Sequence, residues 1–127
     1  MKILVIDDDL LLLRTIARIL GSAGYEVLTA SGGSRGMALF RQARPEVVIT
    51  DIVMPEQEGI ETILTLRRDD TPVKIIAISG ADVEMLETAR LIGADDIIEK
   101  PFRADELLSC IRGVLRSPQT GGQTAMS

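Results

Sequence analysis

The chain has 127 residues, 46% hydrophobic and 26% charged, the balance of a single globular domain. It contains no histidine and one cysteine, Cys110, which excludes Ser–His and Cys–His nucleophiles, the usual zinc clusters and an internal disulfide. A net charge of −5, with Tyr25, Phe40 and Phe102 as the aromatic residues, argues against direct nucleic-acid binding, and the apolar runs are too short for a signal peptide or a bilayer-spanning helix.

In chain order, short β-branched runs alternate with stretches of helical spacing. Residues 3–6 read as a first strand. In the helix after it, Leu13, Ile16, Ala17 and Leu20 share one face, Arg14 and Arg18 point to water, and Gly21 and Gly24 close the segment. Residues 25–29 form a second strand, followed by a weaker helix marked by Met37 and Phe40 and stopped at Pro45. Residues 47–50 form a third strand, and Ile60, Ile63 and Leu64 mark a helix that ends before Thr71 and Pro72. Residues 73–78 form a fourth strand, with Met85, Leu86, Ala89 and Ile92 in the next helix and Gly93 behind it. Residues 97–99 form a fifth, and Leu107, Leu108, Ile111, Val114 and Leu115 give the clearest helical pattern. Runs so short and continuously apolar suit strands buried on both faces, and the alternation predicts right-handed βαβ crossovers and a parallel α/β sheet. Residues 117–127 have the composition of a linker or disordered tail, so the folded domain is expected over residues 1–116.

In an open parallel sheet, ligands bind beyond the C-terminal ends of the strands. Asp7, Asp8 and Asp9 follow the first strand, Asp51 the third, Ser79 the fourth and Lys100 the fifth. Two carboxylates about 5 Å apart repel by roughly 3 kcal/mol at an effective dielectric of about 20. Lys100 offsets one charge, so the remainder calls for a hard divalent cation with oxygen ligands, for which Mg²⁺ is the natural candidate. A carboxylate beside that ion, an ammonium and a hydroxyl is equipped to take a phosphoryl group by in-line transfer, giving an aspartyl phosphate. Each piece has a plainer reading alone. An Asp-Asp pair before a helix caps it, Asp51 is a solvated loop acid, Ser79-Gly80 a turn, and Lys100-Pro101 a strand end. Unrelated turn chemistry does not place all of them at four strand ends of one sheet.

At these residues the chain resembles the receiver domain of a bacterial two-component response regulator. The resemblance covers residues 2–116. It rests on Ile3-Leu4-Val5-Ile6-Asp7-Asp8-Asp9, Val48-Ile49-Thr50-Asp51-Ile52-Val53-Met54-Pro55 with Gly59, Ile78-Ser79-Gly80 and Lys100-Pro101-Phe102. It implies the flavodoxin-like fold, a doubly wound five-stranded parallel sheet in the order 2-1-3-4-5 with helices on both faces. It further implies Asp51 as the phosphoacceptor, and Asp7, Asp8, Asp51 and the backbone carbonyl of Val53 as ligands of Mg²⁺. Lys100 would pair first with the acceptor carboxylate and then with the phosphoryl oxygens, its bond to Pro101 being cis, and Ser79 would hydrogen-bond the phosphoryl group. The implied donor is a phosphohistidine on a sensor histidine kinase or histidine phosphotransfer domain, which supplies the histidine this chain lacks. Such a domain catalyses only its own phosphorylation and dephosphorylation, binds neither nucleic acid nor membrane itself, and works in the cytoplasm.

Two positions depart from the family pattern. Ile97 stands where members commonly carry Tyr or Phe, so a Ser79–Ile97 switch would repack aliphatic groups in place of turning a ring. Val53 and Ala81, two residues beyond Asp51 and Ser79, are apolar where the family influences attack by water, which predicts a long-lived phosphorylated form. Cys110 reads as a small core filler, Asp9 as a helix cap or a solvated acid, with a place in the metal shell as a lesser alternative, and Glu56, Glu58 and Glu61 as solvated acids at a helix start. The face formed by the fourth helix, fifth strand and fifth helix carries Asp82, Glu84, Glu87, Arg90, Asp95, Asp96, Arg103 and Arg112 and reads as a solvated surface. A sharper expectation there is a homodimer with Asp96 and Arg112 paired across it upon phosphorylation. Two other functions compete. One is a Mg²⁺-dependent haloacid-dehalogenase-like phosphatase, for which Asp7 and Asp9 have the spacing although Leu10-Leu11 follows. The other is a phosphorylation-independent binding module.

Overall fold

The β-branched runs form five parallel strands, and the amphipathic stretches five helices, in the computed structural model, which describes residues 1–54, 58–69, 72–80 and 83–117. In chain order these are β1 (Lys2–Ile6), α1 (Leu10–Ser22), β2 (Glu26–Ala30), α2 (Gly33–Ala43), β3 (Val47–Asp51), α3 (Glu58–Arg68), β4 (Lys74–Ser79), α4 (Val83–Leu91), β5 (Asp96–Glu99) and α5 (Ala104–Arg116). The sheet order is β2-β1-β3-β4-β5, with Ile3 opposite both Val27 and Val47, Val48 opposite Ile75, and Ala77 opposite Ile97. This is the flavodoxin-like order 2-1-3-4-5. Pro55, Glu56, Thr71, Ala81, Asp82 and residues 118–127 lie outside the described residues, as does the side chain of Glu58.

Alternate residues of each strand feed two core layers. Leu4, Ile6, Val48, Ile75 and Ala77 pack with Phe40, Ile63, Leu66 and Leu86 from α2, α3 and α4. On the other face Ile3, Val5, Ile49, Ile76 and Ile78 pack with Leu13 and Ile16 of α1 and with Leu107 and Ile111 of α5. Covering both faces is what removes the hydrophobic alternation from β1, β3 and β4, and each fully buried Ile or Leu there contributes about 1.5–3 kcal/mol. The expected two-sided burial holds for these central strands only. β2 and β5 are the sheet edges, and Glu26 and Thr29 are exposed while Asp96, Ile97 and Ile98 are half-buried.

Asp9 caps α1, its Oδ1 accepting the N–H groups of Leu11 and Leu12 at 3.0 and 3.2 Å. Gly21, expected to close α1, lies inside it, and the helix ends at Ser22 before Gly24 makes the turn into β2. In α3, Ile63 and Leu66 are buried and Leu64 is 43% exposed. The inward stripe is therefore completed three residues after Ile63, and not by its neighbour.

Asp95, expected on a solvated face, is instead buried in an ion pair. Its Oδ2 lies 2.7 Å from Arg67 Nη2 and accepts the Ile75 N–H at 2.8 Å. Arg67 also donates to the carbonyls of Gly93 and Val73, each at 2.9 Å, so this α3 guanidinium ties the α4–β5 turn to the start of β4. Gly93 has φ +129°, and Arg67 Cγ lies 2.5 Å from where a Cβ would stand, so glycine is required in that turn.

Candidate functional site

The C-terminal ends of β1, β3, β4 and β5 meet along one edge of the sheet. Asp7 follows β1, with its backbone N–H bound to Ala30 O of β2 at 3.1 Å, and its side chain is fully buried. Asp7 Oδ1 accepts the Asp9 N–H at 2.9 Å. Asp51 ends β3 and is 4% exposed. Its Oδ1 accepts the Val53 N–H and its Oδ2 accepts from Lys100 Nζ, both at 3.0 Å. The same ammonium lies 3.3 Å from Asp7 Oδ2, so Lys100 bridges two carboxylates. β5 delivers it: the Lys100 N–H binds Ser79 O at 2.8 Å, and the Lys100–Pro101 bond is cis.

Asp8 is exposed at the rim, and Asp7, Asp8 and Asp51 each offer an oxygen within 4.8 Å of the others. Ser79 ends β4, one residue past Ile78, the register partner of Asp51, and its buried Oγ has no hydrogen-bond partner. Asp7 Oδ2 likewise has none, because the nearby ammonium is not aligned to donate to it. An all-oxygen donor set with an unsatisfied buried oxygen fits a hard divalent cation. Val53 turns its N–H to Asp51, and the residue is 54% exposed. Ile97 is half-buried on β5, against the core layer of α2, α3 and α4.

The electrostatics follow from this crowding. Burial pushes Asp7 up from 3.8 to about 6. The Asp9 N–H opposes that rise, the Asp51 charge adds to it, and Lys100 opposes it. Burial works against the charge of Lys100, but the hydrogen bond and charge of Asp51, followed by the charge of Asp7, outweigh it and raise the ammonium's pKa.

One positioning feature has no direct sequence signature beyond the glycine itself. A Cβ at Gly59 of α3 would fall onto the Asp51 carbonyl oxygen and lie 2.5 Å from Ile52 Cα. Glycine there lets α3 approach the turn that carries Asp51. Two expected residues do not join the site or differ from their simplest reading. Asp9 is committed to capping α1, so the Asp7–Asp9 pair a phosphatase would need is not assembled. Cys110 is more than filler: its Sγ donates to Asp96 Oδ2 at 3.2 Å, and Asp96 Oδ1 lies 3.7 Å from Arg90. Asp96 is thus engaged within its own chain.

Among the described residues, no helix is long and apolar enough to cross a membrane. The family model for the response regulator receiver domain matches residues 3–112. The probable transcriptional regulator ycf27 of Porphyra purpurea is 39% identical over 116 residues, covering 91% of this chain and 47% of the relative. The response regulator MprA of Mycobacterium sp. (strain KMS) is 36% identical over 123 residues, covering 94% of this chain and 54% of the relative. The chain thus spans about half the length of these curated relatives. A response regulator receiver domain protein from Clostridium thermocellum superposes with a TM-score of 0.84 at 32% identity, over 90% of this chain and 93% of that one. The chemotaxis protein CheY4 of Vibrio cholerae gives 0.82 at 29% identity, over 89% and 97%. With the strand order, the acid-and-lysine edge and these matches in agreement, the chain belongs to the response regulator receiver domain family.

Proposed function

We propose that this domain accepts a phosphoryl group on Asp51 from a phosphohistidine of a sensor histidine kinase or phosphotransfer domain, in a Mg²⁺-dependent reaction, and changes its partner contacts as a result. The observation that carries this reading is the poise of the Asp51 carboxylate, held at one oxygen by the Val53 N–H and at the other by Lys100 Nζ. Asp7, Asp8, Asp51 and the Val53 carbonyl would hold Mg²⁺, which would supply positive charge to offset that of the phosphoryl group. An Asp51 oxygen attacks phosphorus while the donor's N–P bond breaks, and the imidazole leaves with a proton taken from solvent. Lys100, held in its charged form by its carboxylate neighbours, passes its hydrogen bond from Asp51 to a phosphoryl oxygen. Ser79 has a buried hydroxyl without a partner to donate to the same group. Ile97, on the strand that carries Lys100, responds by aliphatic repacking. The apolar Val53 side chain cannot orient a water, which favours a long-lived acyl phosphate. On this reading the domain works in the cytoplasm, beside the kinase that forms the phosphohistidine.

The phosphatase alternative is disfavoured by the commitment of Asp9 to the α1 cap. The binding-module alternative leaves the buried acid set and its lysine without a use. Intact-mass analysis after acetyl phosphate with MgCl₂ tests the proposal: wild type gains about 80 Da, and Asp51→Ala or added EDTA abolishes the gain. A wild-type chain that stays at its starting mass contradicts it.

A further inference from the structure

The pole of the sheet away from the acid edge carries a second cavity. It measures about 400 Å³ and lies where the end of α2, the turn into β3, the start of β4 and the end of α5 meet. Phe40, Pro45, Pro72, Val73 and Leu115 give it an apolar lining. Such a volume and lining suit a small molecule, which also needs a few polar groups to orient it. Arg44, Glu46 and Lys74 are the charged residues there. Glu46 is engaged, its Oε1 accepting the Lys2 N–H at 2.7 Å, so its charge sits against the start of β1. Lys74 is buried, and its Nζ donates to Ser117 O at 3.0 Å. Arg44 is exposed, its guanidinium carbon 5.7 Å from the centre of the Phe40 ring, and among the described residues no carboxylate pairs with it.

The backbone at Arg44 is held against its own preference. With φ +52° it is the one non-glycine residue in the left-handed region among the described residues. The turns after α1 and α4 use Gly24 and Gly93 at φ +96° and +129°, the residue type for which positive φ carries no steric cost. At the end of α2 an arginine stands in that role, although its Cβ opposes the conformation and Pro45 after it favours extended backbone. The cap itself gains nothing from the side chain, because the bond that closes α2 runs from the Arg44 N–H to Phe40 O at 2.8 Å. What arginine adds over glycine is a guanidinium beside an apolar cavity.

We propose that this cavity binds a small amphipathic carboxylate, with its apolar body against Phe40, Val73 and Leu115 and its carboxylate held bidentately by the Arg44 guanidinium. The ligand sits at the far ends of β3 and β4, the strands that carry Asp51 and Ser79. This does not rest on the chemistry assigned to Asp51. The test is titration of the full isotope-labelled chain with hydrocinnamate, followed by two-dimensional NMR. Expected is saturable movement of the Phe40, Arg44, Lys74 and Leu115 amides, with a Kd of about 1 mM or below. Arg44→Gln should weaken binding about fivefold or more, because a charge-assisted pair is lost. Arg14→Gln, the same change of charge on the exposed face of α1, should leave it within about twofold. Arg44→Gly, at ease in the left-handed region, should keep the fold by circular dichroism and bind as weakly as Arg44→Gln. Hydrocinnamamide, which lacks the charge, should bind wild type more weakly than the acid and be indifferent to Arg44→Gln. Absence of saturable movement at these amides overturns the proposal, and so does equal loss in Arg44→Gln and Arg14→Gln, the mark of attraction to net charge alone. An amide that binds as tightly as the acid overturns it as well. Resonances of residues 118–127 that move as the probe binds overturn it in favour of the chain's own segment as the occupant, and a dimer dispersed by the probe does so in favour of a second copy.

Discussion

Asp7 sets the charge balance of the acid pocket, because it is fully buried and its pKa is lifted from 3.8 to about 6. The folded protein therefore holds this proton more tightly than the unfolded chain does. Without metal, the contribution of Asp7 to stability falls as pH rises from about 4 to about 6, by roughly 3 kcal/mol in full. Asp7→Asn should then be more stable than wild type by about 1–3 kcal/mol at pH 7.5 in EDTA, with the advantage shrinking towards pH 4.5. Urea unfolding at the two pH values measures this, and a wild type more stable than Asp7→Asn at pH 7.5 contradicts it. The same exchange at exposed Asp8 should act in the same direction with smaller size, and both variants should bind Mg²⁺ more weakly. Cys110 makes a second prediction at this scale. Burial, and next the Asp96 carboxylate, push its thiol up from 9.0 to about 12. Thiolate is then scarcer by roughly a thousandfold near neutral pH. Iodoacetamide at pH 8 should label the native chain slowly and the urea-unfolded chain quickly, and Asp96→Asn should speed native labelling severalfold. Asp9, Asp51 and Lys100 were legible in the sequence because their positions follow from strand ends and helix starts. Asp95 was not, because its partner Arg67 lies 28 residues away and only the fold brings them together.

At the scale of elements, Gly59 lets α3 approach the Asp51 turn, and the Arg67–Asp95 pair ties α3 to the α4–β5 turn. Gly59→Ala would drive a methyl group into the β3 backbone around Asp51 and Ile52. The variant should lose about 1–3 kcal/mol of stability, read by chemical denaturation, and should phosphorylate more slowly because the Asp51 turn is displaced. Arg67→Ala would leave the Asp95 carboxylate buried without its cation, at a cost of about 3–5 kcal/mol. The double variant Arg67→Ala, Asp95→Ala should recover part of that loss, and a double variant no better than the single one would show that the pair is not coupled. The central strands and the α5 stripe were readable from apolar spacing alone. The partial exposure of β2 and β5 was not, since a run of apolar residues does not reveal whether its strand ends up inside the sheet or at its edge. Gly21 misled for a related reason: packing of Leu13, Ile16 and Leu20 carries α1 through a residue whose intrinsic preference is to end it.

For the whole molecule, the strand order 2-1-3-4-5 is what turns scattered acids into a pocket. Crossing from β1 to β3 sets Asp7 beside Asp51, and β4 and β5 then add Ser79 and Lys100 at the same edge. The composition of the pocket could be read from the sequence because parallel sheets place ligands beyond their C-terminal strand ends. The fine geometry could not. That one ammonium bridges Asp7 and Asp51, that the Ser79 hydroxyl is left unpaired, and that Asp9 is withdrawn into a cap all depend on side-chain positions set by packing. The central claim is that residue 51 alone takes the phosphoryl group. Borohydride trapping tests it most directly, because the reagent reduces an acyl phosphate to an alcohol and converts the bearing aspartate to homoserine. After treatment with acetyl phosphate and Mg²⁺, peptide sequencing by tandem mass spectrometry should find homoserine at position 51 and aspartate at positions 7, 8 and 9. Homoserine at position 7 or 8, or unaltered aspartate at 51, would contradict it.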